Sequence, residues 1–259
     1  MQKRCIGVFG VLFVLSCFVV PAALSHEFIV KPATMDPHAH QVLPLSVLSG
    51  HIFMVSEEME PAEHVVLSLV KGKDVKPVSI EKNPTLMTLD AAVTLEGEGS
   101  YLLCGHRQGV IWTNTSQGWK QGSKKGLKNV ISSGKYEKFC KTLVHVDVPD
   151  KDTYKHVVGQ DLEIVPLDDP ASLTPGDEGR FKVLFRGRPL ATTVYASYDG
   201  FSSRPNTWAY MTETDETGVA YVKFHHPGIW MIRVKNKIDQ ATEDYDAHVM
   251  KSVLVFNVK

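Results

Sequence analysis

The sequence predicts an all-β protein, built as two β-sandwich domains in tandem with little helix. Three observations predict it. The apolar runs are short and rich in β-formers. Turn formers bound them at close intervals, most regularly after residue 160. No segment carries the sustained 3.6-residue apolar stripe of a long amphipathic helix. The chain of 259 residues is 43% hydrophobic and 22% charged, enough for packed cores and unlike a disordered chain. Its 28 basic and 29 acidic residues give a net charge of −1, which excludes the basic excess expected of a nucleic-acid binder.

In chain order, Lys3 and Arg4 precede an uncharged run from Cys5 to Val20, and Pro21-Ala22-Ala23-Leu24-Ser25 then supplies a break and small residues. This is the pattern of a secretory signal cut before His26, so residues 1–25 are expected to be removed and the mature protein to be periplasmic. The apolar run falls short of the roughly 20 residues of a membrane span. No other stretch approaches it, so the mature chain is not expected to be membrane-embedded. A competing lipoprotein reading at Val14-Leu15-Ser16-Cys17 would leave the apolar Phe18-Val19-Val20 directly after the lipid anchor. Of four cysteines, only Cys104 and Cys140 would survive cleavage before His26. In an oxidising compartment they are read either as one disulfide or as two buried thiols.

Residues 26–155 form the first expected domain. Strands are read at 42–48, 65–70 and 101–103, bounded by Gly72, Asn83-Pro84 and Gly97-Glu98-Gly99. The polar stretch 114–135 reads as an exposed loop leading into a short helix that ends near Cys140. Pro149-Asp150-Lys151-Asp152 marks a polar boundary, and the second domain spans 160–259. There, strands at 162–166, 179–185, 191–198, 219–224, 229–234 and 253–258 alternate with turns such as Pro175-Gly176-Asp177 and Asp215-Glu216-Thr217-Gly218. Gly218 supplies the positive φ that such a hairpin needs, and Asp215 can accept from its own turn backbone.

Of eleven histidines, five (His26, His38, His40, His51 and His64) lie within residues 26–64. That clustering points to a metal site. A cut before His26 would join its α-amine and imidazole on one residue as paired nitrogen donors, both available to a metal at neutral pH. His51, after Gly50 at a strand end, is the second expected ligand. His38 and His40 would share one face of an extended chain, although an exposed turn after Pro37 explains them slightly better. His64, Met59, Glu60 and His106 are weaker candidates. Such nitrogen donors suit Ni(II), Co(II), Cu(II) and Zn(II). Trp112, Trp119 and Trp208 can line a ligand platform or simply pack. No Gly-x-Ser-x-Gly elbow, His-Glu-x-x-His, Cys-x-x-Cys or Walker loop is present, so no enzyme is expected.

Several ordered motifs carry a resemblance. Gly187-Arg188-Pro189-Leu190, Thr214-Asp215-Glu216-Thr217-Gly218 and Pro227-Gly228-Ile229-Trp230 are similar to the transthyretin-like or carboxypeptidase-regulatory-like sandwich. His26-Glu27-Phe28-Ile29-Val30-Lys31-Pro32, Ser49-Gly50-His51-Ile52-Phe53 with Met59-Glu60-Pro61, and Leu162-Glu163-Ile164-Val165-Pro166 resemble a secreted bacterial family. That family is described both as a domain of unknown function and as the periplasmic component of nickel/cobalt uptake transporters. Residues 105–135 match none of its motifs. The resemblance implies a periplasmic protein that delivers a nickel or cobalt ion to a membrane transporter component. Two other readings compete. One is a metal-free binding or adhesion module. The other is a copper redox enzyme, since an N-terminal histidine on a β-sandwich is similar to lytic polysaccharide monooxygenases; it requires a second histidine on a flat surface.

Overall fold

The structure, a computed structural model, describes residues 26–259; the signal read over residues 1–25, with its Cys17 alternative, lies outside them. Among the described residues there is no α-helix, only 3-10 turns at Ala62–His64, Thr153–Lys155 and Pro170–Ser172. The strands are β1 (Glu27–Pro32), β2 (Val42–Gly50), β3 (Val65–Lys71), β4 (Asp74–Val78), β5 (Glu81–Asn83), β6 (Thr88–Thr94), β7 (Gly99–Thr115), β8 (Gly118–Gln121) and β9 (Val130–Val146). They continue as β10 (Leu162–Pro166), β11 (Glu178–Phe185), β12 (Arg188–Pro189), β13 (Thr193–Tyr198), β14 (Tyr210–Glu213), β15 (Val219–Lys223), β16 (Gly228–Asp239) and β17 (Ala247–Val258). The protein is all-β, as its short apolar runs predict.

Three sheets form three layers. The middle one has nine strands in the order β14-β13-β16-β17-β9-β7-β3-β4, with β8 added on β7. One outer layer is β1-β2-β6-β5; the other is β10-β11-β12, with β15 also on β11. Strands from both sides of the 150–160 passage share the middle sheet. They meet where β17 runs parallel to β9, from Ala247 opposite Gly134 to Val255 opposite Thr142. The two sandwiches thus use a common central layer.

Side-chain alternation along a strand divides that layer between two cores. Tyr101, Leu103, Val144, Val253 and Val255 pack with Phe28, Leu43 and Leu89 of the first outer sheet. Their neighbours Leu102, Leu143, Leu254 and Phe256 pack with Ile164, Phe181 and Val222 of the other. A strand buried on both faces loses its polar alternation, and β17 is buried at nearly every position.

This explains a correction. The helix expected to end near Cys140 is instead the middle of β9, a seventeen-residue strand. The supposed loop before it contains β8 and the outer ends of β7 and β9, a ribbon in which Trp112 pairs with Gln121 and Asn114 with Trp119. Polar, Gly- and Ser-rich composition hides these strands, β8 paired with its near neighbour β7, and β9 with β7 and the sequence-distant β17.

The two cysteines are free and buried. They sit on adjacent strands, Gly105 opposite Cys140 and Cys104 opposite Lys141, but face opposite cores. The disulfide reading therefore gives way to two separate thiols, pushed by burial to a pKa of about 12 for Cys104 and about 11 for Cys140. The turn at Asp215 forms as expected. Gly218 has φ 78°, and the Asp215 carboxylate accepts from the backbone N–H groups of Thr217 and Val219 at 2.8 and 3.0 Å.

Candidate metal centre

β1 and β2 are antiparallel, with Glu27 opposite Gly50 as the terminal pair. One step further along the same register, His26 stands beside His51, their ring centroids 4.0 Å apart and tilted by 57°. Beyond Gly50 the chain folds back on itself. The N–H groups of Glu57 and Glu58 both donate to the Ser49 carbonyl, at 2.8 and 3.1 Å. The Ser56 hydroxyl ties the loop to the carbonyl of Met87 at 2.6 Å. This fold-back brings two carboxylates onto the two imidazoles.

Glu57 Oε2 lies 2.7 Å from His51 Nδ1 and 3.5 Å from His26 Nε2, and Glu57 Oε1 accepts from the His51 backbone N–H at 3.2 Å. Glu58 Oε1 lies 2.5 Å from His26 Nδ1 and accepts from the Ser49 hydroxyl at 3.3 Å. One donor atom from each of His26, His51 and Glu57 falls within 4.8 Å of the others, a set of ligand types able to hold a metal ion. Partial burial pushes the Glu57 carboxyl up, but hydrogen bonds from His51 and the two imidazole charges hold it below the usual carboxylate range. The His26 hydrogen bond does the same for Glu58, against the opposing effect of burial. Both are therefore anionic at neutral pH. Two imidazoles and a carboxylate suit divalent transition metals, and a carboxylate on one ring nitrogen fixes which nitrogen remains for an ion.

Beneath Glu58 runs a buried ionic floor. Glu60 accepts from Lys138 Nζ at 2.5 Å and from the Ser49 hydroxyl at 2.9 Å, and Arg107 Nε lies 3.4 Å from its other oxygen. Burial raises the Glu60 carboxyl, but the charges of Lys138 and Arg107 outweigh it and hold the group low. These residues form one end of a cavity of about 330 Å³, with His26 and Glu58 at its rim and Trp112, Trp119 and Tyr136 among its walls.

The other candidates lie elsewhere. His38 is exposed and its Nδ1 pairs with Asp147 Oδ1 at 2.7 Å. His40 is exposed in a turn with φ 63°, so residues 38–40 are not extended and the shared face for two rings does not form. His64 is half-buried at the end of a 3-10 turn, away from the His26–His51 pair. His106 bonds Glu137, whose second oxygen meets His248 at 2.8 Å. Met59 and Glu60 line the cavity. Trp208 tilts over Tyr195 at 5.2 Å instead of joining Trp112 and Trp119. Sequence reasoning overlooked Glu57 and Glu58. The available signal was a loop holding three carboxylates, Glu57, Glu58 and Glu60, directly after a Gly-His strand end.

The sequence profile described as a domain of unknown function, DUF4198, matches residues 23–238. No curated protein matches the chain in sequence. Solved structures similar to it include the D0-D1 domain of intimin, at 10% identity and TM-score 0.22, covering 90% of this chain and 99% of that one. A trypsin-activated alpha-2-macroglobulin from Escherichia coli matches at 11% identity and TM-score 0.28, with 89% of this chain on 15% of that one. A DUF4785 family protein from Legionella pneumophila matches at 11% identity and TM-score 0.27, over 79% and 52% of the two chains.

Proposed function

From a chain that belongs to the DUF4198 family, a domain of unknown function, we propose a periplasmic metal-binding protein that carries a divalent transition metal, nickel or cobalt, to an uptake transporter. The metal is cargo, held by His26, His51 and Glu57. One observation carries this reading: the convergence of those three side chains from two strand ends and a fold-back loop. Ligands that converge from separate elements hold a fixed geometry, which helps select among divalent ions of similar affinity. Glu58 orients the His26 ring from behind. Cleavage before His26 adds the α-amine as a further nitrogen donor, and a chelate that used Nδ1 would take that nitrogen from Glu58.

A second reading draws on the same pair. The α-amine and two imidazoles make a three-nitrogen set of the kind copper redox enzymes use. Here, however, Glu57 and Glu58 crowd the pair, unlike an open, flat face.

The test is calorimetry of the mature protein beginning at His26 with Ni(II), Co(II), Zn(II) and Cu(II), alongside a version carrying one extra N-terminal residue and His51→Ala. Stoichiometric binding that is lost in His51→Ala supports the trio, and weaker binding by the extended version adds the amine. Affinity unchanged in both variants removes the proposal. Reductant-dependent cleavage of a polysaccharide by copper-loaded protein would favour the redox reading.

A further inference from the structure

The cavity beside the metal centre has walls and a floor of different chemistry. It forms where the outer ends of β7 and β9, with β8, run on as a three-stranded ribbon. Trp112 pairs with Gln121 and Asn114 with Trp119 across β7 and β8, so the two indoles stand diagonally on one face of the ribbon. They are 38% and 37% exposed, and both line the cavity. Opposite Trp112 on β9 stands Gly134. A β-carbon there would lie 3.0 Å from the Tyr136 ring, so the glycine leaves room for that ring as a third wall.

The floor is polar, buried and matched in charge. Glu60 lies 2.5 Å from Lys138 Nζ and 3.4 Å from Arg107 Nε. Glu58 and Glu137 also act on Arg107, and Glu58, bonded to His26, acts on Lys138 as well. Arg107 Nη1 donates to the carbonyls of Gln108 and Tyr136 at 3.0 and 2.7 Å. No cation there is left over to draw an anion, and neither Glu58 nor Glu60 stands without a cation. A ligand of net charge would therefore give up its water for no free counter-charge. A wholly apolar ligand fails for another reason, since it would cut the ionic floor off from water and offer it no hydrogen bond. A hydroxyl suits both signs, donating to a carboxylate and accepting from an ammonium. A sugar ring joins such hydroxyls to a flat face of C–H groups that fits against an indole. The volume, about 330 Å³, lies at the lower end of small-molecule sites, roughly 300–1,000 Å³.

We propose that this cavity binds a neutral saccharide, its C–H face against Trp112 and Trp119 and its hydroxyls on the Glu60 and Lys138 floor. The aromatic walls supply contact area, and the matched floor selects an uncharged, hydroxylated ligand. The site does not require a metal at His26.

Four tetrasaccharides test it on the full mature chain in EDTA, by calorimetry and tryptophan fluorescence. Cellotetraose and N-acetylated chitotetraose are neutral, the chitotetraose stripped of its acetyl groups is cationic, and tetragalacturonate is anionic. At least one neutral sugar is expected to bind at least about ten-fold tighter than either charged one, because the floor holds no free counter-charge. Trp119→Ala, on the exposed β8, and Trp112→Ala are each expected to weaken that sugar by about ten-fold or more through lost aromatic contact. Trp208→Ala, whose ring lies over Tyr195, should leave it unchanged. No binding of either neutral sugar by folded protein, a preference for a charged one, or full affinity in both Trp112→Ala and Trp119→Ala overturns the proposal. The EDTA condition keeps this result separate from the metal reading, and each can fail without the other.

Discussion

The carbonyl oxygen of Val55 lies 2.3 Å from where a β-carbon on Gly50 would stand. That approach is what turns the chain back after β2 and delivers Glu57 to His51. Any side chain at position 50 has to displace backbone. Gly50→Ala is therefore expected to lower stability by about 1–3 kcal/mol, the range for overpacking at a tight site. It should also cost metal affinity, because the loop carrying Glu57 shifts. Thermal unfolding and metal calorimetry on the same sample check both effects.

Within the centre, Glu57→Gln keeps the shape but removes the anionic ligand, and Glu58→Gln removes the carboxylate that holds His26. Loss of a supporting carboxylate typically weakens metal binding by about 10–100-fold, and that range is expected for Glu58→Gln where His26 binds through Nε2. His38→Ala and His40→Ala should leave affinity unchanged, since those residues sit in an exposed turn beside Asp147. Competition with a coloured chelator gives the comparison directly.

Acid should loosen the floor beneath the centre. Glu60 is held below the usual carboxylate range in the folded protein, burial being outweighed by Lys138 and Arg107. A folded-state value below the unfolded one, about 4.3 for Glu, means its contribution is full above that pH and is lost as pH falls through the depressed value. Urea unfolding between neutral pH and the acid limb should show this loss. Glu60→Gln should be less stable at neutral pH and show a flatter acid limb.

Lys141 and Glu163 form a pair, each 1% exposed in the side chain, at 2.8 Å between the middle sheet and β10. Glu163 also accepts from the N–H groups of Val158, Gly159 and Gln160. Lys141→Met leaves that carboxylate buried without its cation and is expected to cost about 3–5 kcal/mol. Replacing Glu163 by Leu as well should recover only part of this, because three backbone donors then lose their acceptor. A double-mutant cycle in urea measures the difference.

Both thiols should be silent in the folded state. Cys104 and Cys140 are buried with raised pKa values, and the thiolate is the reactive form. A thiol reagent should label neither under native conditions and both in denaturant, without prior reduction.

The amino-acid sequence by itself determined the all-β class, six of the eight strands from β10 to β17 and the turn at Asp215, because short β-rich runs and turn residues act locally. It also ranked His26 and His51 ahead of His38, His40 and His64 as candidate ligands, since one follows a run that reads as a secretory signal and the other follows a strand. Family membership likewise comes from sequence, over residues 23–238. Folding in three dimensions decided the rest. β9 is a strand because β7 and β17 flank it, though its own residues suggested loop and helix. Cys104 and Cys140 stay apart because neighbouring positions on paired strands face different cores. Glu57 and Glu58 reach the imidazoles, while His38 and His40 do not, because a backbone reversal at Gly50 and the β1–β2 register fix distances that linear spacing leaves open.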